Sequence, residues 1–163
     1  MAYQDSGPSG TSSGINEFTG DLDRTPIYGG DSSRVTGYAI IDAIVSPALD
    51  EQGTSSGRSA DVRALIDTGA TTSAVDKALA TDLGLPVIGY ETGIGMEGRK
   101  NQVPLYHARL ELPDLGRSWD AVILMETGAG QGLHNVVIGN DVLQSCVLIV
   151  DGPAGKFSLR CPG

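Results

Sequence analysis

The chain of 163 residues has few cysteines and few basic residues, and each shortage excludes a class of protein. Its 2 cysteines, Cys146 and Cys161, lack the CxxC spacing of a zinc site and are too few for a disulfide framework. One structural disulfide is compatible with two cysteines, but we expect free thiols in a reducing compartment. The 11 basic residues face 20 acidic ones, a net charge of −9, so we expect no nucleic-acid partner.

Long hydrophobic runs are also missing. Runs such as Ala121 to Met125 are far too short to span a bilayer, so we expect no membrane partner. The opening MAYQDSGPSG has neither the basic nor the apolar part of a secretory signal, which predicts a cytoplasmic location. The hydrophobic fraction of 40% is nevertheless enough for a folded core.

The chain does have 23 glycines, which is typical of a fold with many turns. Residues 1–33 are rich in Gly, Ser, Thr, Asp and Pro, and we predict a flexible tail or a pro-segment there. Residues 34–163 form the predicted domain, with about seven strand segments and two short helices. The strand segments are Gly37–Val45, Val62–Asp67, the hairpin Tyr90–Leu112, Trp119–Met125, Val136–Gly139, Cys146–Asp151 and Lys156–Leu159, and the helices are Asp76–Leu83 and Asn140–Ser145. Many short strands with glycine turns predict an all-β, closed or barrel-like fold.

One acid stands out in the stretch ALIDTGATTSAV. Asp67 ends an apolar strand and is followed by Thr68, Gly69 and Ala70. A carboxylate is rarely placed in an apolar run without a reason, and small neighbours let backbone amides approach it. The pattern therefore predicts a carboxylate held by hydrogen bonds, although an ordinary turn with an Asx hydrogen bond explains the same residues.

The wider pattern resembles the retroviral-type (retropepsin-like) aspartic proteases. The active-site loop of that family matches Asp67, Thr68, Gly69, Ala70, Ser73 and Val75. Its second signature, two apolar residues and a glycine opening a short helix, matches VVIGNDVL at 136–143, and its flap hairpin matches YETGIGMEGRKNQV at 90–103. The resemblance covers residues 35 to about 159, and the segment CVLIVDGPAGKFSL is closer in style to cellular and bacterial members than to viral ones.

The resemblance implies a closed acid-protease barrel and an aspartic endopeptidase acting on peptides or proteins without a cofactor or metal. Two carboxylates must share one proton in this mechanism, and Asp-Thr-Gly occurs only once in the chain, at residues 67–69. The implied active form is therefore a homodimer in which Asp67 of each copy meets on the two-fold axis. The implied catalytic residues are Asp67, Thr68 and Gly69, and the implied substrate-binding residues are Ala70, Thr71, Gly93, Ile94, Gly95, Met96 and Ile138.

The chain departs from the viral pattern at one pair of positions. Many viral members have an acid at the position of Thr71 and an arginine at the position of Asn140, and here both charges are missing. The triplets starting at Glu91 and Glu126 resemble the motif, but we interpret both as turns. We interpret His107 and His134 as surface residues.

Two other interpretations remain open. Asp-x-Gly-x-Thr-x-Ser, from Asp67 to Ser73, also resembles the phosphate-binding hairpin of actin-like and sugar-kinase ATPases, although a second phosphate loop is absent from the chain. The domain is also compatible with a catalytically silent retropepsin-like module that dimerises or binds peptides.

Overall fold

The computed structural model describes residues 16–24, 37–55, 57–94, 100–128 and 134–162. Within these residues the chain forms ten strands, two short α-helices and one 3₁₀ turn. The strands are β1 (Glu17–Asp21), β2 (Ile40–Pro47), β3 (Ala60–Ile66), β4 (Ala74–Asp76), β5 (Val87–Ile94), β6 (Lys100–Leu112), β7 (Arg117–Thr127), β8 (Val136–Ile138), β9 (Val147–Asp151) and β10 (Lys156–Arg160). The helices are α1 (Lys77–Leu83) and α2 (Asn140–Leu143), and the 3₁₀ turn is Pro113–Leu115.

Six of the strands close into a barrel, which confirms the predicted all-β closed fold. Their order is β2-β3-β8-β4-β7-β6, and β2 also pairs with β6 to complete the circuit. Closure removes the exposed sheet edges that would otherwise pair with other chains. The remaining strand of this sheet, β5, pairs with the first half of β6 and extends as a hairpin from the barrel.

The barrel core follows the alternation of the strands. On β6, Tyr106, Ala108, Leu110 and Leu112 are all buried, as their spacing predicts, and the residues between them are only partly buried. Each fully buried leucine stabilises the fold by about 1.5–3 kcal/mol relative to an exposed one. The predicted face of this strand is therefore confirmed.

A second, three-stranded sheet has the order β1-β10-β9. Its first strand lies within residues 1–33, where we predicted a flexible tail; for residues 17–21 that prediction was wrong. Phe18 of β1 contacts Phe157 of β10, with ring centroids 5.7 Å apart. This aromatic contact ties a largely polar strand to the domain. The domain boundary and the pro-segment remain predictions.

The two cysteines form a disulfide, so the prediction of free thiols was wrong. Cys146 precedes β9 and Cys161 follows β10, with 15 residues of sequence separation. The two strands form an antiparallel hairpin, which brings both ends together. Because structural disulfides are rare in reducing compartments, this bond weighs against the cytoplasmic location, which remains a prediction.

Both predicted helices are present. Helix α1 ends at Gly84, whose φ of 63° is the left-handed conformation that glycine adopts without strain. Helix α2 is a single turn that begins directly after Gly139. In the described residues, neither α-helix has the length and apolar character that a membrane crossing requires.

Candidate active site

Asp67 follows the last residue of β3, and its own turn holds its carboxylate. The backbone amide of Gly69 donates to Asp67 Oδ1 at 2.8 Å, and the amide of Ala70 donates to the Asp67 carbonyl at 3.2 Å. The amide of Asp67 donates to the Ile138 carbonyl at 3.0 Å, which extends the β3–β8 ladder by one residue. The Asx turn that we considered as an ordinary explanation is therefore present, and it orients a half-buried carboxylate at the end of a barrel strand.

Gly69 is needed for close approach. A Cβ at this position would lie 3.1 Å from Asp67 Oδ1, tighter than an ordinary van der Waals contact. A larger residue would therefore push the carboxylate away from the amide that binds it. The sequence predicted that small neighbours let backbone amides approach the carboxylate, and at Gly69 the group that a side chain would meet is that carboxylate.

The first turn of α2 binds the loop that carries Asp67. The amide of Asn140 donates to the Ala70 carbonyl at 2.8 Å, and the Asn140 side chain donates to the Thr68 carbonyl at 2.9 Å. Gly139 fits against the Asp67 loop only because it lacks a side chain: a Cβ on Gly139 would lie 2.8 Å from the Thr72 carbonyl carbon. Asn140, at the position of the viral arginine, thus uses its amide to fix the backbone next to Asp67.

Ser73 and Asp141 form the polar centre of this contact, which we call the Ser73–Asp141 clamp. The Ser73 hydroxyl donates to Asp141 Oδ1 at 2.7 Å, and the Ser73 amide donates to the same carboxylate at 3.0 Å. The Ser73 hydroxyl also accepts the Gly139 amide at 2.9 Å. Since Ser73 is fully buried, these bonds satisfy groups that water does not reach. We had not predicted this role for Asp141; its position two residues after the signature glycine was the available signal.

A cavity of about 400 Å³ lies beside the Asp67 turn. It is lined by Ala70, Thr71, Thr72, Glu91, Thr92 and Met125. Two residues predicted to bind substrate, Ala70 and Thr71, therefore line the same cavity. The opposite wall comes from β5, the first strand of the hairpin that we predicted to be a flap.

The other predicted substrate-binding residues are placed differently. Gly93 and Ile94 lie at the end of β5, and Gly95 and Met96 lie outside the described residues. Ile138 is fully buried in the barrel core, so in a single copy its side chain does not reach a substrate. Its neighbour Val137 is only partly buried.

The two triplets that begin with glutamate lie in strands, so our interpretation of them as turns was wrong. Glu91 and Thr92 belong to β5, and Glu126 and Thr127 end β7. Glu126 accepts the Tyr106 hydroxyl at 2.5 Å and lies 3.9 Å from the Lys77 ammonium. Burial and the hydrogen bond to Glu126 raise the pKa of Tyr106 to about 12.

His134 lies directly before the segment that leads into β8. Both His107 and His134 are partly buried. Burial lowers the pKa of His134 below its usual 6.5, the positive charge of Arg63 lowers it further, and the charge of Asp67 opposes both. Asn135, next to His134, donates its amide to the Arg63 carbonyl, so the parallel pairing of β3 with β8 places His134 towards the start of β3 and Asp67 beyond its end.

Among the described residues, no cluster of His, Cys, Asp or Glu side chains has an arrangement that would hold a metal ion. The chemistry of the site in these residues therefore depends on the carboxylate of Asp67, the hydrogen-bonding groups around it and the cavity beside it.

The closed barrel, with an Asp-Thr-Gly turn fixed to a Gly-Asn-Asp helix start, defines the class as retropepsin-like. Residues 52–145, more than half of the chain, match the family described as "gag-polyprotein putative aspartyl protease", and the chain belongs to that family. None of the curated proteins compared matches.

Two solved structures match this chain. One is a retropepsin-like aspartic protease from Rickettsia conorii, with a TM-score of 0.56 and 14% identity; the match covers 94% of this chain and 98% of that one. The other is the retroviral protease-like domain of Ddi1 from Leishmania major, with a TM-score of 0.42 and 16% identity; that match covers 76% of this chain and 92% of that one. The Rickettsia structure confirms the fold class; at this level of identity it says nothing further about activity.

Proposed function

We propose that this chain is an aspartic endopeptidase whose active form is a homodimer. The observation that carries the proposal is the Asp67 carboxylate, held at the end of a barrel strand by its own turn. One oxygen, Oδ1, accepts the Gly69 amide. Among the described residues, the other oxygen has no hydrogen-bond partner, which leaves it available to a second carboxylate, a water molecule or a substrate.

The chemistry requires two such groups. Two carboxylates about 3 Å apart cannot both be ionised, so one stays protonated. The ionised carboxylate takes a proton from water, which attacks the peptide carbonyl, and the protonated one polarises that carbonyl. Since the sequence contains one Asp-Thr-Gly, the second group in this proposal is Asp67 of another copy. Thr68 and Gly69 complete the proposed catalytic loop.

The exposed apolar surface of β9 supports dimerisation. Val147, Ile149 and Val150 are 42%, 58% and 56% exposed, respectively. Within the described residues, β9 pairs only with β10, so its other edge is unpaired there. An exposed apolar edge strand is a liability unless another chain covers it. We propose that a second copy of the chain covers this edge, because the same copy would also supply the second Asp67.

In the proposal, the hairpin of β5 and β6 acts as a flap that covers the bound peptide. An extended peptide would lie between this hairpin and the Asp67 turn and add main-chain hydrogen bonds. Gly93, Ile94, Gly95 and Met96 stay proposed contacts at the tip. The cavity between β5 and the Asp67 loop would receive one substrate side chain.

The test combines a measurement of the oligomeric state with a peptide-cleavage assay. Light scattering measures the oligomeric state, and a peptide library is incubated with the protein between about pH 4 and 7. We expect a dimer whose cleavage disappears in Asp67→Asn and persists in Asp114→Asn, a matched change in the exposed 3₁₀ turn.

Different failures have different meanings. A stable monomer without cleavage at any pH would overturn the proposal. A dimer that binds peptides without cleaving them would favour the silent module. A rate that still rises above about pH 8 would contradict a shared proton, because both carboxylates would then be ionised.

A further inference from the structure

The cavity beside the Asp67 turn has two unlike walls. One wall consists of Ala70, Thr71 and Thr72, the residues that follow the turn. The Ala70 amide is hydrogen-bonded to the Asp67 carbonyl, so this wall is continuous with the candidate site. The other wall consists of Glu91 and Thr92 on β5, and Met125 of β7 completes the lining.

Charge is concentrated at one point of this cavity. Glu91 is the only ionisable residue among its lining residues, and Thr71, Thr72 and Thr92 offer hydroxyl groups. Among the side chains that the structure describes, none forms an ion pair or hydrogen bond with the Glu91 carboxylate, which is exposed to solvent. It is therefore available to a cation that enters the cavity.

The rest of the lining fits the stem of a long basic side chain. Lysine and arginine carry three or four methylene groups below the charged end and bury them against apolar surface. Met125 and Ala70 provide such surface, and the flexible thioether of methionine adapts to stems of different shape. The net charge of −9 also favours the approach of cationic peptides.

We propose that this cavity selects a lysine or arginine side chain of the peptide substrate, with Glu91 as the residue that determines the preference. The inference rests on the proposed peptide-binding function of the site. The stem of the basic residue would lie along Ala70 and Met125. Its cationic end would meet the Glu91 carboxylate, with the threonine hydroxyls able to accept its remaining N–H groups.

Binding is measured first, so that the result does not depend on catalysis. The full-length Asp67→Asn variant is titrated with capped octapeptide libraries in which one position is fixed as Lys, norleucine or Glu and the others are mixed. Lysine and norleucine share an aliphatic stem, so their difference reports the charge. At one position we expect Lys to bind about threefold more tightly than norleucine, and norleucine more tightly than Glu, with the Lys preference shrinking at high salt.

The variants then test the assignment to Glu91. Glu91→Gln should remove the preference for Lys, and Glu91→Lys should reverse it in favour of Glu. Glu51→Gln, the same charge change in the exposed β2–β3 loop, should leave the preference intact.

The two proposals fail separately. If the wild-type chain cleaves no peptide but the lysine preference is present and depends on Glu91, the endopeptidase proposal fails and the cavity assignment holds. Equal binding of Lys and norleucine at every position, a preference that survives both Glu91 variants, or no peptide binding at all would overturn the assignment.

Discussion

Removing the Ser73 hydroxyl should destabilise the whole domain, because that hydroxyl joins the two halves of the candidate site. In Ser73→Ala the hydroxyl that donates to Asp141 is lost, and so is the acceptor of the Gly139 amide. Ser73 is 0% exposed, so water does not readily replace either bond. The Ser73 amide still donates to Asp141, which limits the damage to the side-chain contacts.

The magnitude follows from these two bonds. A hydrogen bond to a charged acceptor contributes about 1.5–3 kcal/mol, and a buried amide without a partner costs about 1–3 kcal/mol. The two losses share one hydroxyl and are not additive, so we expect the free energy of unfolding to fall by about 2–4 kcal/mol. For a domain whose total stability is about 5–15 kcal/mol, this is a large fraction.

Urea unfolding at one fixed protein concentration is the assay, since a dimer's apparent stability depends on concentration. The matched control is Ser46→Ala, which removes another buried serine hydroxyl outside the clamp; we expect a loss below about 1 kcal/mol. Combining Ser73→Ala with Asp141→Ala, which removes the acceptor, isolates the pair. The two effects should couple by about 1–2 kcal/mol, because each single change already breaks the same bond.

Two results would refute this reasoning. A loss below about 1 kcal/mol in Ser73→Ala would mean that the Gly139 amide finds another partner. Strict additivity of the two substitutions would mean that Ser73 and Asp141 act independently, despite the 2.7 Å between their side-chain oxygens.

Three further predictions concern the disulfide and two titrating groups. Replacing Cys146 and Cys161 together by serine should lower the free energy of unfolding by about 3 kcal/mol, the value for a loop of this length, and mass spectrometry should find no free thiol in the native chain. The fold lowers the pKa of His134, so its neutral form contributes to stability above pH 6.5 and this contribution is lost as the pH falls below that value. Between about pH 7 and 5, His134→Gln should therefore lose less stability than the wild-type chain does. The pKa of Tyr106 is raised from 10 to about 12, so the contribution of its neutral hydroxyl to stability is lost as the pH rises above 10. Tyr106→Phe cannot bond Glu126 and should therefore lose less stability than the wild-type chain between about pH 9 and 11.

The parts of the fold that could be predicted are those with local signals. The alternation of β6 and the apolar run before Asp67 identify strands, and Gly84 marks the end of α1. The Asp67 turn could be predicted for the same reason, since the two bonds that close it join residues within three positions of each other. Strand β4 was missed because three residues are too few to establish a period, and β1 because its composition is typical of a loop.

The disulfide was missed for a different reason. Cys146 and Cys161 lie at the two ends of a hairpin that the sequence did predict, and antiparallel pairing brings such ends together. Our expectation relied on the number of cysteines and on a presumed compartment. The register of the predicted hairpin was the better guide, because it concerns geometry directly.

The Ser73–Asp141 clamp explains why one short motif was not sufficient to define the site. The Asp67 turn bonds within itself and so orients its carboxylate relative to its own backbone. It does not determine where that backbone lies in the barrel. Bonds from Asn140, Asp141 and Gly139 to the loop supply that position, and they connect residues 66 to 72 places apart in the sequence. If Asp67 must meet its own copy across an axis, an error in the loop position is doubled between the two carboxylates. A clamp on each loop, centred on the buried Ser73, would limit that error in a shared-proton pair built from two chains.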